Sequence, residues 1–416
     1  MGNPIPTSTI LVVGGGIAGI SVAATLAETG ATALLIEKEP WIGGRVMRVA
    51  QYFPKLCPPS CGMELHGRRL FENPRIKVMV STIIKTAEHT TNGWRVTLET
   101  AATFISDACT GCGKCVAVCP QVIKNPFNMG MNTMPVIGFV HPNVRPFKPT
   151  LERSKCVSGC YECEKSCPTA AITLNATPTL RTVTVKTIVA ATGWRPYDLS
   201  ALSLYGAGTL TNVMSNVMME RLYSPGGPTG GRIIKANGDP PKKVAFVQCA
   251  GSRDVQHLPW CSEVCCATAI KQASYVKTQI PDADVTVYYI DRRTTGRNEA
   301  MLTDALSNDI CRFVKGKVGK IVQRGETLLL RVEDTERATV MESEADMVIL
   351  ALGMVPNQFA DPLPLPFPRD EHGFIDSAPE LGLIAAGSSR APLDVAATVR
   401  DATGAAMEAL VCEREI

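Results

Sequence analysis

Short apolar runs rich in branched residues recur along the chain, and most end on glycine. The first is Thr9-Ile-Leu-Val-Val13, a run without alternation, as a strand buried on both faces requires. Gly14-Gly-Gly16-Ile-Ala-Gly19 follows at once; the Ala-rich stretch 17–28 predicts a helix, Gly30 ends it, and 32–36 predicts the next strand, closing on Glu37. Runs of the same kind occupy 187–193, 346–353 and 382–387, each meeting a glycine turn. Residues 243–248 and 284–290 read as two more strands, with a helix over 262–279 between them. Strands alternating with helices predict an α/β fold with parallel sheets.

The first fifty residues carry a chemistry. A strand, a G-x-G-x-x-G turn, a helix and an acid about 20 residues on form a dinucleotide-binding fingerprint. Gly14 allows the tight turn, Gly16 lets a diphosphate approach the backbone, and Gly19 lets helix and strand pack closely. The helix N-terminus offers amides to phosphate, and Glu37 is placed to hold ribose hydroxyls. Gly43-Gly44-Arg45, in the loop leaving the second strand, resembles the element that packs against FAD in flavoproteins with two dinucleotide domains. The segments ending at Gly193 and Gly353 resemble the Ala-Thr-Gly elements of that superfamily, and 382–387 resembles its last FAD-binding strand, with Gly387 at the turn. Ser388 stands where those proteins carry an Asp against the ribityl chain. The expected cofactor is FAD.

Cysteine is the outstanding residue, sixteen in all. Cys109-x2-Cys112-x2-Cys115-x3-Cys119-Pro matches the bacterial ferredoxin run, and Cys156-x3-Cys160-x2-Cys163-x3-Cys167-Pro repeats it with one extra residue. In such runs three thiolates hold one [4Fe–4S] cube and the fourth crosses to the other. Cys109, Cys112, Cys115 and Cys167 are therefore expected on one cluster, and Cys156, Cys160, Cys163 and Cys119 on the second. A zinc ribbon needs only two C-x-x-C pairs and explains the pattern less well. Cys249, Cys261, Cys265 and Cys266 surround the turn after the strand 243–248. Spacing alone leaves them either as ligands of a third cluster or as buried core thiols. That turn has one glycine where a nicotinamide cofactor needs a fingerprint, although Asp291 sits where a ribose-binding acid would. Arg292 and Arg293 beside it read as a phosphate pocket or as surface residues.

These signals divide the chain into an FAD-binding part (1–107), an inserted ferredoxin-like domain (108–176), a continuation and linker (177–238), a second dinucleotide-type domain (239–340) and an FAD-binding return (341–416). The stretch 224–231, Ser-Pro-Gly-Gly-Pro-Thr-Gly-Gly, reads as a flexible hinge, and 362–368 as a stiff proline loop. Composition adds exclusions. Hydrophobic residues make up 45% and charged residues 19%, with 42 basic against 39 acidic side chains. That balance gives no footprint for nucleic acid. No apolar run is long enough for a bilayer, and the first nine residues lack the charged start of an export signal.

Together the residues resemble the A-type flavoproteins of heterodisulfide reductase. The resemblance rests on the glycine fingerprint, Phe53-Pro-Lys-Leu-Cys57-Pro-Pro-Ser-Cys61, the inserted ferredoxin, Val247-Gln-Cys249-x-Gly-Ser-Arg253-Asp, Trp260-Cys261-Ser-x-x-Cys265-Cys266 with Ala269-Ile-Lys-Gln-Ala273 following, and Tyr289-Ile-Asp291. It covers nearly the whole chain. It implies two dinucleotide-binding domains of thioredoxin-reductase type, and a cluster beside the flavin on Cys249, Cys261, Cys265 and Cys266. The compact form is most similar to the A-type flavoprotein of the quinone-interacting membrane-bound oxidoreductase complexes of sulfate reducers, with sulfur-oxidation relatives close behind. That likeness implies an oxidoreductase subunit that relays electrons between a menaquinone-linked membrane partner and adenylylsulfate reductase. Its neighbours would be a haem-bearing membrane subunit, which reacts with quinone, and a related flavin and iron–sulfur subunit. Its place would be cytoplasmic, peripheral to the inner membrane through the complex. The alternative is a stand-alone reductase using NAD(P)H or a disulfide at Cys57 and Cys61, which also read as ligands or structural thiols. Cys311 and Cys412 are expected to be buried thiols, and the five histidines (His66, His89, His141, His257, His372) show no ligand spacing.

Overall fold

The computed structural model describes residues 9–415; residues 1–8, where no export signal is expected, lie outside the described residues. The first domain centres on a parallel five-stranded sheet in the order Leu383–Ala385, Ile188–Ala190, Thr9–Val13, Thr32–Ile36, Ile76–Met79. The unalternating apolar run makes sense here, because Thr9–Val13 is buried along its whole length. Ile10 and Val12 pack toward helices Ile17–Glu28 and Val395–Glu415. Leu11 and Val13 pack toward an antiparallel layer of Thr82–Thr90, Gly93–Thr100 and Thr179–Val185. Three layers thus bury both faces of one sheet.

The second domain is a seven-stranded sheet in the order Val213–Ser215, Met347–Leu352, Lys243–Ala250, Asp284–Tyr289, Arg312–Arg324, Thr327–Asp334, Thr339–Ala345. The first five run parallel and the last two form an antiparallel meander. The helix expected over 262–279 spans Cys265–Gln279, and the strand expected to 290 ends at Tyr289.

Two domain boundaries differ from the expectation. Met347–Leu352 pairs with Lys243–Ala250 (Val244 opposite Met347) and with Val213–Ser215 (Val213 opposite Val348). The FAD-binding return therefore begins after Leu352 rather than at 341, and residues 213–215 belong to the second sheet rather than to a linker. The expected hinge at 224–231 is also pinned. Gln279 donates to the Gly231 carbonyl at 2.7 Å and accepts from the Ile233 amide at 2.9 Å, while a Cβ on Gly227 would fall 1.7 Å from the Arg221 carbonyl oxygen.

The insert leaves Gly93–Thr100 and returns at Thr179–Val185, neighbours in one antiparallel sheet. It contains short helices Lys114–Ala117 and Glu162–Lys165. Its middle folds back onto the first domain, where Phe127 and Val144 join the core beside Trp41. Two antiparallel strands, Trp194–Pro196 and Met354–Pro356, tie the domains together. Among the described residues no helix is long and apolar enough to cross a membrane.

Candidate functional site

A two-chambered cleft runs from the glycine turn of the first domain into the space between the domains. The first chamber holds about 1040 Å³ of empty space and is bordered by Gly14, Gly16, Glu37, Gly44, Arg45, Gly193 and Ser388. Its floor needs glycine for two reasons. Gly14 has φ +110°, and a Cβ there would lie 2.3 Å from the Ala191 carbonyl oxygen; one on Gly19 would lie 1.8 Å from that of Gly14. Gly16 is different: a Cβ there meets only the Gly44 Cα, at 4.0 Å, so the position opens onto the chamber. The Gly43 amide donates to the Gly15 carbonyl at 2.7 Å, which lays the Gly43-Gly44-Arg45 loop against the fingerprint.

Glu37 accepts from the amides of Gly15 (2.6 Å) and Glu39 (2.8 Å), and burial raises its carboxyl above the usual range. Arg45 stacks on Trp194, 4.6 Å from the ring centroid, and burial draws its guanidinium down to about 9. Among the described residues no carboxylate pairs with it. A half-buried cation with no carboxylate on it, beside a glycine turn at a helix N-terminus, suits the diphosphate of a dinucleotide. The 21-residue helix Val395–Glu415 also begins at the junction, with Val395 bordering both chambers. Ser388, which stands where the related flavoproteins carry an Asp, borders the chamber, and the Gly387 amide donates to Asp401 at 2.5 Å.

The second chamber, with about 820 Å³ of empty space that opens to solvent, lies between the domains. Its walls include Tyr52, Phe53, Trp194, Met354 and a buried ion pair that the sequence did not reveal. Lys271 Nζ lies 2.9 Å from Glu220, both side chains nearly solvent-free, and Lys271 also donates to the Gln51 carbonyl at 2.7 Å. Glu220 accepts further from the Ala50 amide and Gln272. Glu220 and Lys271 sit in helical sequence with no chemical motif around them, so only tertiary pairing distinguishes them.

The insert presents two smaller cavities. Cys109, Cys112, Cys115 and Cys167 border one of about 330 Å³; Cys119, Cys156, Cys160 and Cys163 border the other, of about 320 Å³. Each fourth cysteine thus stands with the other run. Among the described residues no three His, Cys, Asp or Glu side chains converge closely enough to hold a single metal ion. Thiols spread around a cavity match a shell about a cage rather than one tetrahedral ion.

Cys249, Cys261, Cys265 and Cys266 come together where the strand Lys243–Ala250 ends and the helix Cys265–Gln279 begins, close enough to act electrostatically on one another. Burial pushes the Cys249 thiol up to about 11 and raises Cys265 and Cys266 as well. Backbone amides of Glu263 (3.4 Å) and Arg293 (3.3 Å) nevertheless donate to the Cys261 and Cys266 sulfurs. Donors aimed at sulfurs that repel one another as thiolates suit a group that binds them ionised. The loop is also stitched to the second chamber: Met354 donates its amide to Ser262 at 2.8 Å and accepts from Trp260 Nε1 at 3.1 Å.

Cys57 and Cys61 stand apart from all three sets, both exposed, with the Cys57 carbonyl accepting from the Tyr52 amide at 2.7 Å. Cys412 is buried and Cys311 partly so. His257 hydrogen-bonds the Tyr197 hydroxyl at 2.9 Å, and His372 stacks on Trp260. His141 is buried between Trp41 and Phe127, and burial, with Arg221, Arg48 and Arg145 nearby, lowers it to about 4.

Residues 12–81 match the family of NAD(P)-binding Rossmann-like domains, and residues 102–123 match the 4Fe-4S binding domain. The chain is 33% identical to the A component of the H(2):CoB-CoM heterodisulfide,ferredoxin reductase of Methanothermobacter thermautotrophicus, over 96% of this chain and 63% of that protein. It is 35% identical to the first iron-sulfur A component of the CoB--CoM heterodisulfide reductase of Methanopyrus kandleri, over 97% and 64%. It thus spans a little under two thirds of these relatives' length. Among solved structures, the thioredoxin reductases of T. acidophilum (15% identity, TM-score 0.54, 97% of both chains) and Lactococcus lactis (14%, 0.54, 98% and 99%) share the fold.

Proposed function

On its likeness to the A components of heterodisulfide reductases, we propose that the chain is an oxidoreductase of the heterodisulfide reductase A-type flavoprotein family, an electron-transfer subunit with one FAD in the two-chambered cleft and [4Fe–4S] clusters at the three thiol sets. The observation that carries this reading is the exchange of Cys119 and Cys167 between the two insert cavities. Gly14, Gly16, Gly19, Glu37, Gly43, Gly44, Arg45, Gly193 and Gly387 would form the flavin's bed. FAD exchanges electrons singly or in pairs and each cluster one at a time, so the set joins two-electron to one-electron carriers. The Gly14 and Gly15 amides are taken by Ile36 and Glu37, so the first-turn amides of helix Ile17–Glu28 are the ones left for phosphate; Arg45 offsets its charge, and Trp194 and Met354 line the inner chamber. Lys271 and Glu220 form a hydrogen-bonded, charged wall of that chamber.

Direct feeding by NAD(P)H is disfavoured by the second domain's own residues. The helix that would receive a nicotinamide cofactor's diphosphate begins with Cys265 and Cys266, and Asp291 is engaged by Arg253 at 2.8 Å. The likeness to the A-type flavoprotein of the quinone-interacting membrane-bound oxidoreductase complexes supports the finer assignment. In it, the chain relays electrons between a haem-bearing, menaquinone-reactive membrane subunit, through which it meets the membrane, and adenylylsulfate reductase, with a related flavin and iron–sulfur protein as its other neighbour.

Anaerobic purification with iron, sulfide and FAD counts, followed by NADH and NADPH additions, tests the reading. About twelve irons per FAD with unbleached flavin is expected. Rapid bleaching by a nucleotide, or turnover of a disulfide that depends on Cys57 and Cys61, would replace the relay with a self-sufficient reductase.

A further inference from the structure

The turn that carries Cys249 is built around cations. Cys249 and Arg253 both take left-handed backbone, each with φ +54°, a conformation costly for residues with side chains. The turn folds back, and the Arg253 side chain comes close enough to Cys249 for its charge to favour the thiolate. The same guanidinium meets Asp291 at 2.8 Å. Asp291 also meets the Arg293 side chain at 3.4 Å, and the Arg293 backbone amide donates to the Cys266 sulfur at 3.3 Å. Asp291 lies just beyond the strand Asp284–Tyr289, where an acid holds ribose in a nucleotide-binding domain. Here it holds two arginines.

We propose that Asp291 is a positioning residue that fixes Arg253 and Arg293 against the thiol set, and that the resulting cationic clamp raises the reduction potential of the cluster held there. The proposal rests on the third thiol set holding a cluster. Reduction of that cluster adds one electron, from the flavin or a one-electron donor, and breaks no bond. The added charge falls on sulfurs that Arg253 and the Arg293 amide already face, so the reduced form gains more from them than the oxidised form. The two insert clusters lie outside the clamp and provide an internal reference.

The experiment is an anaerobic redox titration of the full holoprotein with dithionite and mediators, followed by electron paramagnetic resonance, with iron counted in every sample. Arg253→Met should lower the third cluster's midpoint, reducing its reduced-to-oxidised ratio about tenfold at the wild-type midpoint, a shift of about 59 mV for one electron. Arg253→Lys should recover part of that shift, and the insert signals should not move. Asp291→Asn separates charge from position. Loss of a nearby negative charge alone raises the potential, whereas release of the arginines lowers it, and the clamp requires the fall. Full iron content with an unmoved midpoint in Arg253→Met, or a rise in Asp291→Asn, overturns the proposal. Should Arg253→Met shed iron, the sign in Asp291→Asn decides. Wild-type protein with only about eight irons would instead remove the third cluster itself.

Discussion

The two dinucleotide-type domains begin alike and diverge at the first turn. In the first, Thr9–Val13 reaches helix Ile17–Glu28 through three glycines. In the second, Lys243–Ala250 reaches helix Cys265–Gln279 through residues 251–264. A short glycine turn brings no side chains of its own and leaves a chamber at the helix N-terminus to be filled by a ligand. A long turn brings its own side chains to the same place, and here Arg253 and Cys261 join Cys249 at the strand's end and Cys265 and Cys266 at the helix's start. One scaffold therefore yields two kinds of site, and the turn decides which.

The contrast breaks most visibly at Cys265. Replacing this buried thiol by serine should remove about four of the irons while leaving FAD in place, read as the iron-to-flavin ratio. Next comes the wall between the domains. Lys271→Met leaves Glu220 charged and buried, and should cost about 3–5 kcal/mol in denaturant unfolding. The contact between insert and first domain should show in acid. His141 is held near 4, below the ordinary histidine value, so its contribution is complete above about 6.5 and is lost as pH falls toward 4. The drop should approach about 3 kcal/mol, and His141→Phe, keeping an aromatic ring against Trp41 and Phe127, should flatten that limb in thermal scans across pH. The smallest effect on stability belongs to Gly16. Its backbone, φ −76°, accepts any residue and its Cβ direction is open, so Gly16→Val should move stability by less than about 1 kcal/mol. The same change should sharply weaken FAD retention on a desalting column, whereas unchanged flavin content would mean that the chamber does not hold the dinucleotide there.

The same contrast explains what could be read before folding. Gly14, Gly16, Gly19 and the insert cysteines are local patterns, because a tight turn or a four-thiol run leaves its spacing in the sequence. Sheet membership leaves none. Met347–Leu352 is an apolar run that either sheet could bury, and only its pairing with residues a hundred positions earlier places it in the second. Phe127 and His141 look like insert residues and serve the first domain's core. Residues 224–231 have a linker's composition, yet Gln279 and Arg221 hold them. Glu220 and Lys271 acquire meaning only when helices Asn216–Tyr223 and Cys265–Gln279 meet.

The ribbon of Trp194–Pro196 and Met354–Pro356 has a mechanical consequence. It is the strap between two bodies, yet Trp194 lies under Arg45 and Met354 is gripped by Ser262 and Trp260 of the thiol-bearing loop. Turning one body against the other would twist the wall of the inner chamber and tug the loop in the same stroke.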